Sequence, residues 1–485
     1  MKPFIKGMDV SSLKELEQLG ARYYQDGQEK GLLEILKSYG ANSIRLRLWN
    51  DPYSESGVPY GAGTNDMKTT LELGRRVLDM GFGFLLDLHY SDFWADPGKQ
   101  RVPKAWRGMD GPELEQAVYR FTRQTLLDMK EKDVFPTMIQ VGNELSNGLL
   151  WPYGKRPAYD HIAGLLNAGI RAVRSVEPDL PVMLHLDNGG NNALYREWFD
   201  AFMERGEEFE VIGLSYYPFW HGTLGQLEDN MQDLAVRYGK ALNVAEVSTG
   251  HTLRDYAEYE KLPPQKRKGM ASKPELAAKV EYPMTPEGQS DFMQDFMTRI
   301  ARVPGCQGFY YWEPGWLPVP GSGWAGEEAL AYIEEKGPGG NEWANQALFD
   351  YDGHALKALE TIRDFRPEIS AILNLTPDHL DRHKTMQNYI DAKARIFENQ
   401  TKDQYCILNY DDAECRKLIE KCNATPVPFS RKEILDFGAY VKDENIVIKD
   451  ADGSVCEICG VEDLQIPGTH NLENALAACA IAHFA

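Results

Sequence analysis

Two short runs place a glutamate where an apolar, strand-forming stretch ends: Gln140-Val141-Gly142-Asn143-Glu144 and Asn243-Val244-Ala245-Glu246-Val247. Paired carboxyl groups on separate strand ends suit the cleavage of a glycosidic bond. One of them, kept neutral, protonates the leaving oxygen, while the other, ionised, attacks the anomeric carbon or activates water. Glu144 and Glu246 are the candidates for these tasks. Either glutamate alone reads as an ordinary surface ion-pair partner. The two together, with Asn143 ahead of the first and aromatic residues around both, point to catalysis.

Further polar residues gather at the same ends. Asp9 closes an early apolar run, Arg45 and Arg47 lie two apart, and so do Asp87 and His89. Residues two apart share one face of a strand. An arginine there keeps a neighbouring carboxylate ionised through opposite-charge attraction. The same residues, Asp9, Arg45 and Asp87 above all, equally suit a buried structural network. Aromatic side chains crowd the adjoining segments: Trp49, Tyr90, Phe93, Trp94, Trp106, Tyr216, Tyr217, Phe219, Trp220, Tyr310, Tyr311, Trp312 and Trp316. Flat rings with polar edges match the apolar faces of sugars, although many aromatics are simply core. Trp94, Trp220, Trp312 and Trp316 are the expected saccharide contacts.

The elements that must position these residues follow a repeated βα pattern over the first three quarters of the chain. Strands are expected at 4–10, 43–49, 83–89, 137–143, 181–187, 210–216, 241–247 and 306–312, separated by stretches of helical period such as Ile162, Leu166, Ile170 and Val173. Eight parallel strands with crossover helices close a (β/α)8 TIM barrel, whose sites lie at the C-terminal strand ends. Beyond Arg366 the pattern changes to a smaller α/β unit. It has strands expected at 369–375 and 405–409, a charged helix around 389–399, and antiparallel strands over 438–466 with Asp452-Gly453 at a turn. The chain stops in a helical stretch without a capping residue, so this second domain reads as incomplete. The expected domains are therefore 1–366 and 367–485.

Composition narrows the function classes. In 485 residues, Lys+Arg 52 against Asp+Glu 73 gives a formal net charge of −21, which disfavours partnership with nucleic acid or an anionic membrane surface. No apolar run is long enough to span a membrane. The N-terminus lacks the apolar core and small-residue cleavage site of a signal peptide, so the protein is expected either to stay inside or to have lost its signal, and its localisation stays open. Cys306 stands alone in the first 400 residues, while six cysteines fall in the last 80. Cys456-Glu457-Ile458-Cys459 is a C-x-x-C run without the further ligands that zinc requires, and is expected to be a pair of reduced thiols.

The runs Phe4-Ile5-Lys6-Gly7-Met8-Asp9-Val10-Ser11-Ser12-Leu13, Ile44-Arg45-Leu46-Arg47-Leu48-Trp49-Asn50-Asp51-Pro52, Val141-Gly142-Asn143-Glu144, Ile212-Gly213-Leu214-Ser215-Tyr216-Tyr217-Pro218-Phe219-Trp220-His221-Gly222 and Tyr282-Pro283-Met284-Thr285-Pro286-Glu287-Gly288-Gln289 closely resemble arabinogalactan endo-β-1,4-galactanases over about residues 3–358. That resemblance implies a retaining (β/α)8 glycosidase acting on β-1,4-galactan. It makes Glu144 the acid/base and Glu246 the nucleophile, with Asn143 on the 2-hydroxyl of the reacting sugar. It also implies that Arg47 and a strand-six tyrosine, Tyr216 or Tyr217, steady the nucleophile; His89, from its place at the end of the third strand, joins the expected substrate-binding set. Members of the family are usually secreted, and some bind calcium in the loop after strand seven. Here that loop, residues 248–255, lacks alternating oxygen ligands, so no metal and no cofactor is expected. A non-catalytic galactan-binding barrel is the alternative, disfavoured because both carboxylates are present.

From about Leu359 or Glu360 the chain resembles the central, ATP-binding domain of UDP-N-acetylmuramoylalanine–D-glutamate ligase. The likeness rests on Ile372-Leu373-Asn374-Leu375-Thr376-Pro377-Asp378-His379-Leu380-Asp381-Arg382-His383, Asp391-Ala392-Lys393-Ala394-Arg395 and Gly468-Thr469-His470-Asn471-Leu472-Glu473-Asn474. It implies a magnesium ligand at His379, a second candidate at Glu360 and a carbamylated lysine at Lys393. A remnant ligase fails on one point: no Gly-Lys pair here is followed by Ser or Thr, so the phosphate-cradling Gly-x-x-x-x-Gly-Lys-Ser/Thr loop is missing. The segment reads as a fused partial domain. Leu356, Leu359, Ile362 and Phe365, three apart, form an apolar stripe that completes the barrel's last helix across the junction.

Overall fold

The computed structural model describes residues 4–255, 273–336, 339–366, 368–376, 385–398, 400–465 and 468–484. Strands β1 (Ile5–Asp9), β2 (Ser43–Leu48), β3 (Gly83–Leu88), β4 (Met138–Val141), β5 (Val182–Leu186), β6 (Val211–Tyr216), β7 (Ala241–Val247) and β8 (Cys306–Trp312) form one closed barrel in which β1 pairs with both β2 and β8. All of its neighbouring pairs are parallel. Closure follows from composition. These strands are buried almost throughout, so helices must cover the outside while side chains fill the inside. Leu85, Met138, Met183, Val211, Ala245 and Tyr310 form that inner plug.

The crossover helices are α1 (Leu32–Ser38), α2 (Met67–Asp79), α3 (Gly111–Glu131), α4 (Tyr159–Val176), α5 (Asn192–Met203), α6 (Leu224–Tyr238), α7 (Pro286–Arg302) and α8 (Lys357–Asp364). Local sequence starts several of them. Asp110 with Glu113 and Thr223 with Gln226 make reciprocal capping boxes ahead of α3 and α6, and Asp66 accepts from Thr69 N at α2. The last helix, α8, buries Ala358, Leu359 and Ile362, and Lys6 Nζ donates to Ile362 O at 2.7 Å, fastening it to β1.

The chain divides into two compact units, Phe4–Arg363 and, apart from its first residues, Asp364–Ala485. The second holds a sheet in the order β9 (Ile369–Ile372), β10 (Tyr405–Asn409), β11 (Thr425–Ser430), β12 (Gly438–Lys442), β13 (Asn445–Lys449) and β14 (Val455–Gly460). Its first four strands run parallel and its last two pairings are antiparallel, with Gly453 at a positive φ of 89° in the turn before β14. Helices α9 (Met386–Ala394), α10 (Ala413–Ile419) and α11 (Thr469–Phe484) accompany it. Its core includes Ile407, Val427, Phe429, Ile446, Ile448 and Leu476. Of the ligase-like positions, Lys393 lies on α9, Glu360 lies on α8 of the barrel unit, and His379 lies outside the described residues. Cys456 and Cys459 are free thiols on β14. No described helix is long and apolar enough to cross a membrane.

Candidate active site

Glu144 stands at the mouth because β4 ends early. The strand stops at Val141, Gly142 takes a φ of +82°, and Glu144 itself is left-handed at φ +48°. A glutamate in that conformation is strained, and the strain turns its side chain back over the barrel. Glu246 is aimed by a β-bulge. Across the β6–β7 ladder Leu214 pairs with Val244 and the next residue, Ser215, pairs with Glu246, so Ala245 is the extra residue. The bulge lets two successive side chains face inward: Ala245 joins the apolar plug, and Glu246 meets the polar mouth.

Beneath Glu246 lies a buried charge network. Arg45 Nη2 is 2.9 Å from Glu246 Oε1, 2.8 Å from Asp87 Oδ2 and 2.9 Å from Asn143 Oδ1, while Arg45 Nη1 reaches Asp9 Oδ2 at 2.7 Å. Tyr217 donates its hydroxyl to the other oxygen, Glu246 Oε2, at 2.7 Å. The expected steadying of Glu246 by Arg47 is therefore corrected: Arg45 makes that contact. Arg47 pairs instead with Asp9 and Glu313 and lays its guanidinium 4.5 Å from the centre of the Trp94 ring. Level decides the exchange, since parity puts Arg45 and Arg47 on one face but at successive depths of the barrel. Parity also separates the tyrosines: Tyr217 faces the mouth, whereas Tyr216 packs on Phe292 and Phe296 of α7 and donates to Gly222 O at 3.0 Å.

The remaining candidates line the mouth at different depths. Asn143 Nδ2 donates to Ala95 O at 2.9 Å, which orients its amide. His89 shares Asp87 Oδ2 at 2.9 Å and accepts from Trp49 Nε1 and Ala95 N on Nδ1, so it is locked into the network. Trp94, Trp312 and Trp316 form one aromatic wall, their ring centres 5.5 to 6.3 Å apart. Trp316, with 1% of its surface exposed and Nε1 donating to Ser322 O, is the packed interior of that wall. Trp220 is the exposed aromatic, 39% accessible, edge-on to Tyr217 and Trp343.

The two carboxyls sit in different electrostatic surroundings. Burial raises Glu144 well above the ordinary carboxylate range, and the nearby charges of Glu246 and Asp187 push it further, against one hydrogen bond from Ser215. Burial also raises Glu246, and Arg45 and the Tyr217 hydroxyl offset only part of this, so it too stays above the ordinary carboxylate value. Of the two, Glu144 is pushed further toward its neutral form, and Glu246 is the one offered a cation and a donor. Asp9 is pushed up by burial, yet Arg47, Arg45 and Ser11 outweigh this and hold it below its usual value.

Four polar residues of the mouth, Gln140, His185, Ser215 and Glu313, are not among the site candidates that the sequence singles out. Gln140 Nε2 donates to Asp87 Oδ1 at 2.6 Å, and Glu313, left-handed at φ +47° just after β8, accepts from Arg47 and Ser12. Ser215 had a signal, because it lies two residues before Tyr217 and shares its face.

Closed parallel barrel and paired mouth carboxyls define the architecture of a glycoside hydrolase. Residues 5–362 match the family described as Glycosyl hydrolase family 53, and the chain belongs to that family. Residues 340–482 match the Mur ligase middle domain. The endo-beta-1,4-galactanase of Bacillus subtilis (strain 168) is 36% identical over 75% of this chain and 86% of its own length. The arabinogalactan endo-beta-1,4-galactanase A of Emericella nidulans is 34% identical over 67% of this chain and 89% of its own. Among solved structures, the GH53 catalytic domain of Ignisphaera aggregans is 39% identical with a TM-score of 0.68, covering 74% of this chain and 96% of that one.

Proposed function

We propose that the barrel hydrolyses β-1,4-galactosidic bonds within galactan or arabinogalactan chains by a retaining, two-glutamate mechanism. The observation that carries this reading is the unequal surroundings of the two mouth carboxyls. Glu144, neutral through burial and its acidic neighbours, donates its proton to the glycosidic oxygen as the bond to the anomeric carbon breaks. Glu246, held between Arg45 and Tyr217, attacks that carbon and forms a glycosyl-enzyme ester. Glu144, now ionised, takes a proton from a water whose oxygen attacks the same carbon, so the ester bond to Glu246 breaks, the sugar leaves with the new hydroxyl, and both groups are restored. Asn143 is assigned to the 2-hydroxyl of the reacting sugar. Trp94, Trp220 and Trp312 are assigned to stacking on sugar faces, with Trp316, Arg47 and His89 holding that surface in place. Galactan as substrate is supported by the names of the relatives.

The division at 1–366 and 367–485 is proposed as one of function too. The second segment lacks a Gly-x-x-x-x-Gly-Lys-Ser/Thr loop, and we assign it no ligase activity. The deciding experiment is reducing-sugar release from linear β-1,4-galactan, with β-1,4-xylan and β-1,4-mannan as controls. Release of galacto-oligosaccharides from galactan alone is expected. Turnover of xylan or mannan at a comparable rate, or none of galactan, overturns the assignment.

A further inference from the structure

Glu144 receives its hydrogen bond at one oxygen only among the described residues: Ser215 Oγ donates to Oε1 at 2.7 Å. Ser215 is fully buried on β6, and its other neighbour is His185 Nε2, on β5, at 2.8 Å. A serine hydroxyl has one proton for these two neighbours. When Glu144 is ionised, Oε1 can only accept, so the serine proton goes there and Ser215 Oγ must itself accept from Nε2–H. A neutral imidazole has a single N–H, so Nδ1 is then a bare lone pair and needs a donor.

The structure supplies one. Gln140 Nε2 lies 3.1 Å from His185 Nδ1, and its two N–H groups also face Asn143 Oδ1 at 2.9 Å, Gly142 O at 3.1 Å and the Asp87 carboxylate. The orientation of the Gln140 amide is set from two sides: Arg45 Nε donates to its Oε1 at 3.3 Å, and its Nε2 donates to Asp87 Oδ1 at 2.6 Å. Asn143 Oδ1 also lies 2.9 Å from Nδ1, and it already accepts from Arg45 Nη2 at 2.9 Å. His185 is wholly buried beside Arg45, His89 and His221, and burial and these neighbours hold it far below the ordinary histidine value, so it stays neutral. With Glu144 ionised and His185 carrying its proton on Nε2, the donor chain runs from Gln140 to His185 to Ser215 to Glu144; the Nδ1–H tautomer would donate to Asn143 Oδ1 instead and draw the Ser215 proton to Nε2.

We propose that His185 is a positioning residue for the acid/base: through this chain it commits the Ser215 hydroxyl to Oε1 of Glu144, so that the proton which Glu144 gives and takes is carried on Oε2. The inference rests on the acid/base reading of Glu144 given above and adds the group that decides which oxygen works. It also stabilises the ionised form that the water-activating step requires. The groups whose charge bears on Glu144 are Glu246 from β7, Asp187 beyond β5 and Asp96 beyond β3. Those bearing on His185 are Arg45 from β2, His89 beyond β3 and His221 beyond β6.

The test is the pH profile of kcat/KM on β-1,4-galactan for the full chain and for Ser215→Ala, His185→Phe, His185→Gln and the Ser215→Ala/His185→Phe double variant. Losing the donor destabilises the Glu144 carboxylate, so Ser215→Ala and His185→Phe should both move the alkaline limb to higher pH. His185→Gln, whose amide nitrogen can replace Nε2–H, should leave the limb near that of the parent. The double variant should show no shift beyond Ser215→Ala, because histidine acts only through the serine. An alkaline limb unmoved in Ser215→Ala, or a further shift when the histidine change is added to it, overturns the proposal. Should His185→Phe not fold, Ser215→Ala against His185→Gln decides: a shift in the first and none in the second supports the chain, and equal shifts overturn it. Glu144→Gln separates the two readings. If that variant keeps the alkaline limb, the acid/base assignment itself fails, whatever His185 does.

Discussion

Tyr217 donates a hydroxyl hydrogen bond to Glu246 Oε2 at 2.7 Å, on the opposite side of the carboxyl from Arg45. Two donors therefore hold both oxygens of the proposed nucleophile, and its remaining freedom is directed at the mouth. Glu144 has a single side-chain donor among the described residues, Ser215, and burial beside acidic neighbours pushes it further toward its neutral form.

Replacing Tyr217 with Phe removes a hydrogen bond to the ionised form of Glu246, so its proton affinity rises. Glu246 must be ionised to attack, and activity is lost as pH falls through its pKa. The acid limb of kcat/KM should therefore move to higher pH, with a loss of roughly 10–100-fold at the optimum. Tyr216→Phe, altering a residue turned to α7, should leave both nearly unchanged. A pH-rate series on the two variants checks this.

Glu144→Gln and Glu246→Gln should each lose most turnover of galactan, by on the order of 10²–10⁴-fold or more. Their behaviour should part on an activated aryl β-galactoside, whose leaving group needs no proton. There Glu144→Gln should keep a fast first step, seen as a burst of released phenol, and Glu246→Gln should not. Equal losses on both substrates would contradict the assigned roles.

The proposed retaining mechanism fixes the stereochemistry of the first product. The two carboxyl groups should act at a separation of roughly 5–5.5 Å, too close to admit water between nucleophile and sugar. Proton NMR of fresh hydrolysate should show the β-anomer ahead of mutarotation. Initial α-anomer would mean direct attack by water and an inverting enzyme.

Cutting the chain after Arg366 should leave galactan hydrolysis and the thermal midpoint of the barrel close to those of the full chain. Every candidate site residue precedes Leu317, and α8, with Leu359 and Ile362 buried, is retained. The second unit has a core of its own around Ile407, Phe429 and Ile448. ATP-dependent ligation by the full chain should be undetectable. Loss of most activity on truncation, or ATP binding at micromolar concentration, would show the units to be coupled.

Sequence alone determined the barrel and its two carboxylates, because both are written in local pattern: apolar runs of strand length, helical stretches between them, and glutamates where the runs end. It also placed Arg45 with Arg47 and Asp87 with His89 on common faces, since side-chain alternation is a property of one strand. Tertiary structure decided what alternation cannot: the level of each residue in the closed barrel and the register between strands. Register puts Arg45, not Arg47, against Glu246. The bulge at Ala245 turns Glu246 inward beside Ser215, and the neighbouring β5 brings His185 to the same serine. Trp316 and Trp220 look alike as letters, yet one is sealed within the aromatic wall and the other is exposed. Burial depends on every element that packs over a side chain, and those elements come from distant parts of the chain.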